Sequence, residues 1–228
     1  MKKEYIKNIF IIPARIGSKR IKKKNIKLFI NKPIINYPIK ILQKNKQLNN
    51  IFVSTESNII KKCIQSMKVK IIHRPKYLST DKSSTLNVIQ HCIKQLKNKY
   101  KLKNIICVYP CNPFLKTNDI NKCIKLSEKN NCFSYPILKY SHPIQRALTI
   151  KKNGRIKLKN KNSSKRTQIF KNFYHDAGQF YCANYKIWLK SKDILSNSIG
   201  YEIPKWRAVD IDNKDDWRQA ENLYKILK

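Results

Sequence analysis

The chain is predicted to fold as an α/β domain: a Rossmann-like, mostly parallel sheet with helices on both faces. Three observations predict it. Short apolar segments of strand character alternate with segments of helical period over the first two-thirds of the sequence. The 228 residues suffice for one such domain with a sizeable core. Hydrophobic residues make up 41% of the chain, yet no apolar run approaches the ~18 residues a membrane span needs.

The elements follow in order. Ile9–Pro13 reads as a first, fully buried strand rather than a signal peptide, because its apolar part is too short and runs straight into Pro13 and Arg15. Pro33–Gln43 has an imperfect helical period, with Pro33 suited to a first turn and Pro38 awkward inside it. Asn50–Thr55 is the next strand, Glu56–Met67 a helix and Val69–His73 a short strand. Ser83–Leu96 is the clearest helix, with Ser83 or Ser84 as N-cap. Asn104–Tyr109 is a strand, and Asn118–Glu128 a helix capped by Asn118. The polar, lysine-rich stretch Lys151–Asn172 lacks apolar period and is expected to be mobile or to extend to a partner chain. Phe173–Ala183 returns to strand character, and Asp215–Leu227 is an amphipathic closing helix. The whole chain, 1–228, reads as one domain, with 140–173 as an arm or dimerisation excursion. In sheets of this kind ligands bind outside the carboxyl ends of the strands. The site is therefore expected around Ala14 and Arg15, Ser54 to Glu56, and Tyr109 and Pro110.

Fifty Lys and Arg against 13 acidic residues give a formal charge of +37. Such a balance suits an anionic partner. The lysines are spread along the whole chain, however, and accompany abundant Asn and Ile and only four Gly. Neither an aromatic–basic pattern nor a zinc-finger spacing is present, so no specific nucleic acid and no membrane are expected as partners. Seven cysteines, an odd number without CxxC pairs, argue against a disulfide framework and for the reducing cytoplasm.

The strongest local signal is I-I-P-A-R-I-G-S-K-R-I-K-K-K-N, Ile11 to Asn25. A buried strand ends in Pro-Ala-Arg, and a short loop with Gly17 and Ser18 leads into a cationic cluster. Amides at such a strand end can form a nest for an anion, and Arg15, Lys19 and Lys24 add charge suited to a triphosphate. The Walker pattern GxxxxGK[ST] is absent. A second signal is Asp210-x-Asp212 in a chain with few acids. Asp residues two apart on an extended segment face one side, and Mg²⁺ favours one or two carboxylates plus substrate phosphate oxygens. The competing reading is a solvated acidic turn, with Asp212 or Asn213 capping the last helix.

P-A-R-x-G-S-K-R…K-N resembles the nucleotide-binding signature of the CMP–sugar-acid synthetases, which act on sialic, Kdo and pseudaminic acids. The resemblance continues through I-F-V-S-T-E (Ile51–Glu56), H-R-P-x-x-L-S-T-D (His73–Asp81), V-Y-P-C-N-P-F-L (Val108–Leu115) and V-D-I-D-N-K-D-D-W (Val209–Trp217). It implies a fold of the nucleotide-diphospho-sugar transferase type, usually in a homodimer, and a Mg²⁺-dependent reaction of CTP with a sugar acid that releases pyrophosphate. By position it implies CTP-binding roles for Ala14, Arg15, Ser18, Lys19, Lys24, Asn25, Arg74 and Ser83. Asp210 and Asp212 match the metal-binding pair, and Arg15, Lys24, Asp210 and Asp212 form the expected catalytic set. The family usually has Gly where Ile16 stands, so either this position needs no positive φ or the loop has shifted. P-I-Q-R-A-L (Pro143–Leu148) and Y-H-D-A-G-Q-F-Y (Tyr174–Tyr181) look like the branch that acts on pseudaminic acid. That resemblance implies sugar contacts from Gln145, Arg146, His175 and Gln179. Transfer to sialic, legionaminic or Kdo-type acids is the near alternative, and a basic nucleic-acid-binding protein on a degenerate transferase fold the distant one. The sequence leaves open whether the Asp210 and metal side or His175 accepts the proton.

Overall fold

The computed structural model describes residues 3–44, 50–159 and 166–227. The strands are β1 (Glu4–Pro13), β2 (Leu28–Phe29), β3 (Lys32–Pro33), β4 (Ile51–Thr55), β5 (Lys70–His73), β6 (Tyr100–Val108), β7 (Phe133–Lys139), β8 (Leu148–Ile150), β9 (Ile156–Leu158), β10 (Tyr174–Asp176), β11 (Phe180–Asn184) and β12 (Ser198–Glu202). The helices are α1 (Asn36–Gln43), α2 (Asn58–Cys63), α3 (Thr85–Leu96), α4 (Thr117–Asn130), α5 (Tyr185–Lys190) and α6 (Lys214–Ile226).

The main sheet runs β7-β11-β6-β1-β4-β5; β10 pairs with β7 on the same edge as β11, and β12 pairs with its opposite edge. The half β6-β1-β4-β5 is parallel, as the alternation of strands and helices predicts. The other half is mixed, because β11 pairs antiparallel with both β6 and β7. β1 lies between β4 and β6, so strand order reverses there. That switch point opens a crevice at the carboxyl ends of the strands.

β1 shows why the sheet is covered on both faces. Ile9 and Ile11 join one core cluster with Leu86, Ile89 and Ile93 of α3 and with Trp188 of α5. Phe10 and Ile12, with the opposite parity, join Ile35 just before α1, Ile39 of α1, and Ile120 and Ile124 of α4. A third cluster packs α6 through Trp217 and Ala220 against Phe29, Tyr37, Phe114 and Ile211. It fastens the C-terminal helix beside the β1 loop.

Several boundaries differ from the sequence-based expectations. α1 starts at Asn36, so Pro38 is its third residue, where an N–H would have no intrahelical acceptor. α3 is capped by Ser84, whose Oγ accepts from Asn87 N at 3.2 Å, while Ser83 Oγ donates to Tyr77 O at 3.0 Å. Asn118 is not a cap: α4 begins one residue earlier, and Lys116 at its N-cap makes no side-chain bond. Phe173–Ala183 is not one strand. Gly178, with φ +62°, turns the chain between β10 and β11. β8 and β9 form a separate hairpin, whose second strand falls inside the Lys151–Asn172 stretch expected to be mobile or to extend to a partner chain. Residues 160–165 of that expected segment lie outside the described residues.

Candidate active site

The crevice holds a cavity of about 420 Å³ lined by side chains from the β1 loop, the 74–85 segment, the end of β6, the β10–β11 turn and the 209–212 segment. Of the residues expected to bind nucleotide, Arg15, Ser18, Lys19, Lys24, Asn25, Arg74 and Ser83 line it. Ala14 does not, being fully buried in the core beneath the loop.

The β1 loop is held from within. Asn25, buried in the turn after the cationic cluster, donates from Nδ2 to Arg15 O at 2.8 Å and closes the loop on itself. Cys111 Sγ donates to Asn25 Oδ1 at 3.3 Å from the end of β6. Glu56, after β4, accepts from Ile16 N at 3.0 Å and from Ser79 Oγ at 3.2 Å, tying the loop to the 79–83 segment. Ile16 is not among the described residues with positive φ, which resolves its departure from the glycine of the family pattern: the position needs no left-handed backbone.

The loop's cations meet carboxylates. Arg15 Nη1 lies 2.6 Å, and Lys19 Nζ 2.7 Å, from Asp81. These two donors hold the Asp81 carboxyl below its ordinary pKa. Arg20 reaches Asp212 at 2.8 Å, and Lys24 Nζ donates to Ile211 O at 2.7 Å with Asp212 Oδ1 at 3.5 Å. Arg74 is buried, donating to Ser54 O at 2.7 Å, and burial lowers its pKa. Asp210 and Asp212 both line the cavity, and Ile211 between them is buried in the third core cluster. Ile211 borders the cavity too. Desolvation, followed by the neighbouring Asp212, raises the Asp210 pKa. The capping reading holds as well, through Asn213 rather than Asp212. Asn213 caps α6, and Asp216 accepts from Asp212 N and Asn213 N at 2.8 and 2.9 Å.

The four residues expected to contact sugar are not brought into the lining. Gln179 is 2% exposed, and its Nε2 donates inward to Arg207 O at 2.7 Å. Gln145 Nε2 donates to Lys171 O at 3.0 Å, with Arg146 beside it in the same short turn. His175 is exposed next to Tyr140, the ring centroids 4.8 Å apart. Its neighbour Asp176 faces the cavity instead, accepting from Gly178 N and from the Tyr181 hydroxyl.

Sequence reasoning missed Asp81, Asp176, Thr85 and Tyr181, whereas Ser54, Thr55 and Glu56, expected around the site, do not line the cavity. Asp81 and Asp176 stand inside the quoted motifs H-R-P-x-x-L-S-T-D and Y-H-D-A-G-Q-F-Y, so scarcity of acids was the available signal. Tyr109 Oη and Thr85 Oγ1 lie 3.0 Å apart, and burial pushes the Tyr109 pKa up to about 12. This wall of the cavity is neutral.

A cationic loop at the switch point of a parallel sheet, faced across one cavity by a pair of carboxylates, defines a nucleotidyltransferase site. The chain belongs to the cytidylyltransferase family, whose profile matches residues 9–193. It is 31% identical over 226 residues to a pseudaminic acid cytidylyltransferase of Campylobacter jejuni, covering 97% of each chain. It is 27% identical over 218 residues to the N-acylneuraminate cytidylyltransferase of Escherichia coli, of which it spans 51%. Among solved structures, a CMP:2-keto-3-deoxy-manno-octonic acid synthetase complexed with CTP superposes with a TM-score of 0.72 at 13% identity, covering 97% of this chain and all of that one. A 4-diphosphocytidyl-2C-methyl-D-erythritol synthase gives a TM-score of 0.67 at 12% identity, covering 98% and 99%. The fold is thus that of the nucleotide-diphospho-sugar transferases.

Proposed function

We propose that the enzyme transfers CMP from CTP to the anomeric hydroxyl of a nine-carbon sugar acid, most specifically pseudaminic acid, and releases pyrophosphate. The observation that supports the reading most is one cavity lined by both the Arg15–Lys24 cations and the Asp210–Asp212 pair. The sugar is suggested by the full-length similarity to the Campylobacter enzymes, which exceeds that to the N-acylneuraminate enzymes. Sialic-type acids are the second reading, carried by those same relatives.

In this proposal Arg15, Lys19 and Lys24 bind the triphosphate, with Ser18, Asn25, Arg74 and Ser83 around it. The phosphates take the place of Asp81 on Arg15 and Lys19. The sugar hydroxyl oxygen forms a bond to the α-phosphorus, the bond from that phosphorus to the bridging oxygen breaks, and pyrophosphate departs with the electron pair. Arg15, Lys19 and Lys24 offset the charge that grows on the departing group. The hydroxyl proton goes to the Asp210 side of the cleft. His175 lies outside the lining, whereas Asp210 is part of it.

The residues fit Mg²⁺. Among the described residues no three His, Cys, Asp or Glu form a metal cage. Two carboxylates on one cavity wall match an ion that shares its coordination with substrate phosphates. When bound, Mg²⁺ would neutralise phosphate charge between Asp210 and Asp212. The proposal places sugar recognition on the Asp176, Gly178 and Tyr181 side. Gln179 belongs to the protein interior, and Gln145, Arg146 and His175 are not in the lining.

The proposal also includes a homodimer in the cytoplasm, with no specific nucleic acid or membrane partner. The hairpin of β8 and β9 exposes Leu148, Ile150, Ile156 and Leu158, each more than half accessible. An apolar hairpin outside the main sheet suits a second copy of the chain. No helix of the described residues is long and apolar enough to cross a membrane. The test of the reading is pyrophosphate release with CTP and a panel of sugar acids. Salt-sensitive DNA or RNA binding without turnover would instead favour the nucleic-acid alternative.

A further inference from the structure

We infer that Asp119, Arg207 and Gln179 act together as a buried clamp that positions the segment bearing Asp210 and Asp212. The inference rests on the reading of those two aspartates as the reactive carboxylates of the cleft. The geometry is as follows. Arg207 lies three residues before Asp210, in the short turn Lys205–Arg207 that ends the run from β12. Its guanidinium is buried and pairs with Asp119 of α4, Nη1 to Oδ1 at 3.4 Å and Nη2 to Oδ2 in closer contact. Its carbonyl accepts from Gln179 Nε2 at 2.7 Å. One residue is therefore held by its side chain to a helix and by its backbone to the turn before β11.

The far end of the same segment is held separately, by the capping box of Asn213 and Asp216 and by Ile211 in the core. Between these anchors Ala208–Asp212 forms no helix or strand. Its position depends on these anchors together with Lys24 on Ile211 O and Arg20 on Asp212, neither of which reaches its Arg207 end.

Stability is a poor explanation for the buried cluster. A buried ion pair repays its desolvation only in part, and an apolar replacement of similar volume is often neutral. Here the cluster also leaves Arg207 Nε and Gln179 Oε1 buried without a hydrogen-bond partner. What the polar atoms supply is direction: a fork on a carboxylate and an amide on a carbonyl fix both rotation and register. Gln179, which resembles a sugar-binding position in sequence, thereby receives a different role.

The test uses the full chain with the paired change Asp119→Leu and Arg207→Met, which removes both charges together. Its readouts are the melting temperature, hydrogen exchange of the 208–213 amides, and Mn²⁺ affinity by electron paramagnetic resonance in the presence of CTP. The expected result is a folded protein whose 208–213 amides exchange at least about tenfold faster, while core strands stay protected. Mn²⁺ affinity falls by about tenfold or more, because the two carboxylates lose their fixed spacing. Exchange within about twofold of wild type in the folded variant overturns the clamp. Should the pair fail to fold, Gln179→Met removes only the bond to the Arg207 carbonyl. It is expected to speed the same amides by about threefold with an unchanged KM for sugar, and unchanged exchange overturns the proposal. If Mn²⁺ does not bind the wild-type protein, the metal reading of Asp210 and Asp212 fails, and the exchange measurement still decides the clamp.

Discussion

Asp212 is approached by Arg20 at 2.8 Å and by Lys24 at 3.5 Å, whereas desolvation and Asp212 itself raise the pKa of Asp210. The two carboxylates therefore differ in environment though they share a motif. Asp210→Asn and Asp212→Asn should each lose about 2–4 kcal/mol of transition-state stabilisation with the fold intact. Steady-state kinetics at saturating Mg²⁺, alongside circular dichroism, measures this, and near-normal turnover in both variants would remove the metal role. A second residue-scale expectation concerns Cys111, which lines the cavity and bonds Asn25. Burial pushes its pKa up to about 12. The thiolate is the reactive form, so at pH 8 Cys111 should alkylate about a hundredfold or more slowly than a free cysteine. Peptide mapping after iodoacetamide treatment reads this, and rapid labelling of Cys111 would contradict it. The residues of the β1 loop were legible in sequence because they lie together, Arg15 to Asn25, after one strand. Asp81 and Asp176 were not, because each comes alone from a distant segment and only the fold brings it to the cavity.

At the scale of elements, period and capping were legible where they act locally. α3 carries a full helical stripe and a serine cap, and it was predicted within two residues. The failures have specific causes. Pro38 blurred the start of α1, which begins after Ile35 and tolerates proline in its first turn. Gly178 splits one apparent strand into β10 and β11, and its added Cβ would lie 3.6 Å from Asp210 Cγ. The hairpin of β8 and β9 was hidden because its apolar residues are few and exposed, leaving no buried face to set a period. That same exposure gives a prediction. Ile150 is 78% and Ile156 64% accessible, so the paired change Ile150→Lys and Ile156→Lys should convert a dimer to monomers in size-exclusion chromatography with light scattering. The melting temperature of the core should move little, since neither side chain touches it. A wild-type protein that is monomeric at micromolar concentration, or a variant that stays dimeric, would contradict the assignment of this hairpin to the interface.

At the scale of the whole molecule, the parallel half of the sheet places the cavity, and the formal charge of +37 surrounds it. Within the cleft the charges are not uniformly positive. Arg15 and Lys19 meet Asp81, and Arg20 and Lys24 meet Asp212, so a triphosphate has to compete with built-in carboxylates for its cations. That balance fits a site that exchanges anions better than a surface that retains a polyanion. The central claim is cytidylyl transfer to pseudaminic acid, and the most direct measurement is a coupled pyrophosphate assay giving kcat/KM for CTP with pseudaminic acid and with N-acetylneuraminic acid. Mg²⁺-dependent release is expected with pseudaminic acid, with a preference that can reach about 10⁴-fold, because polar groups shaped for one sugar stay unpaired with the other. Equal use of N-acetylneuraminic acid, or no pyrophosphate from CTP with pseudaminic acid, would contradict it.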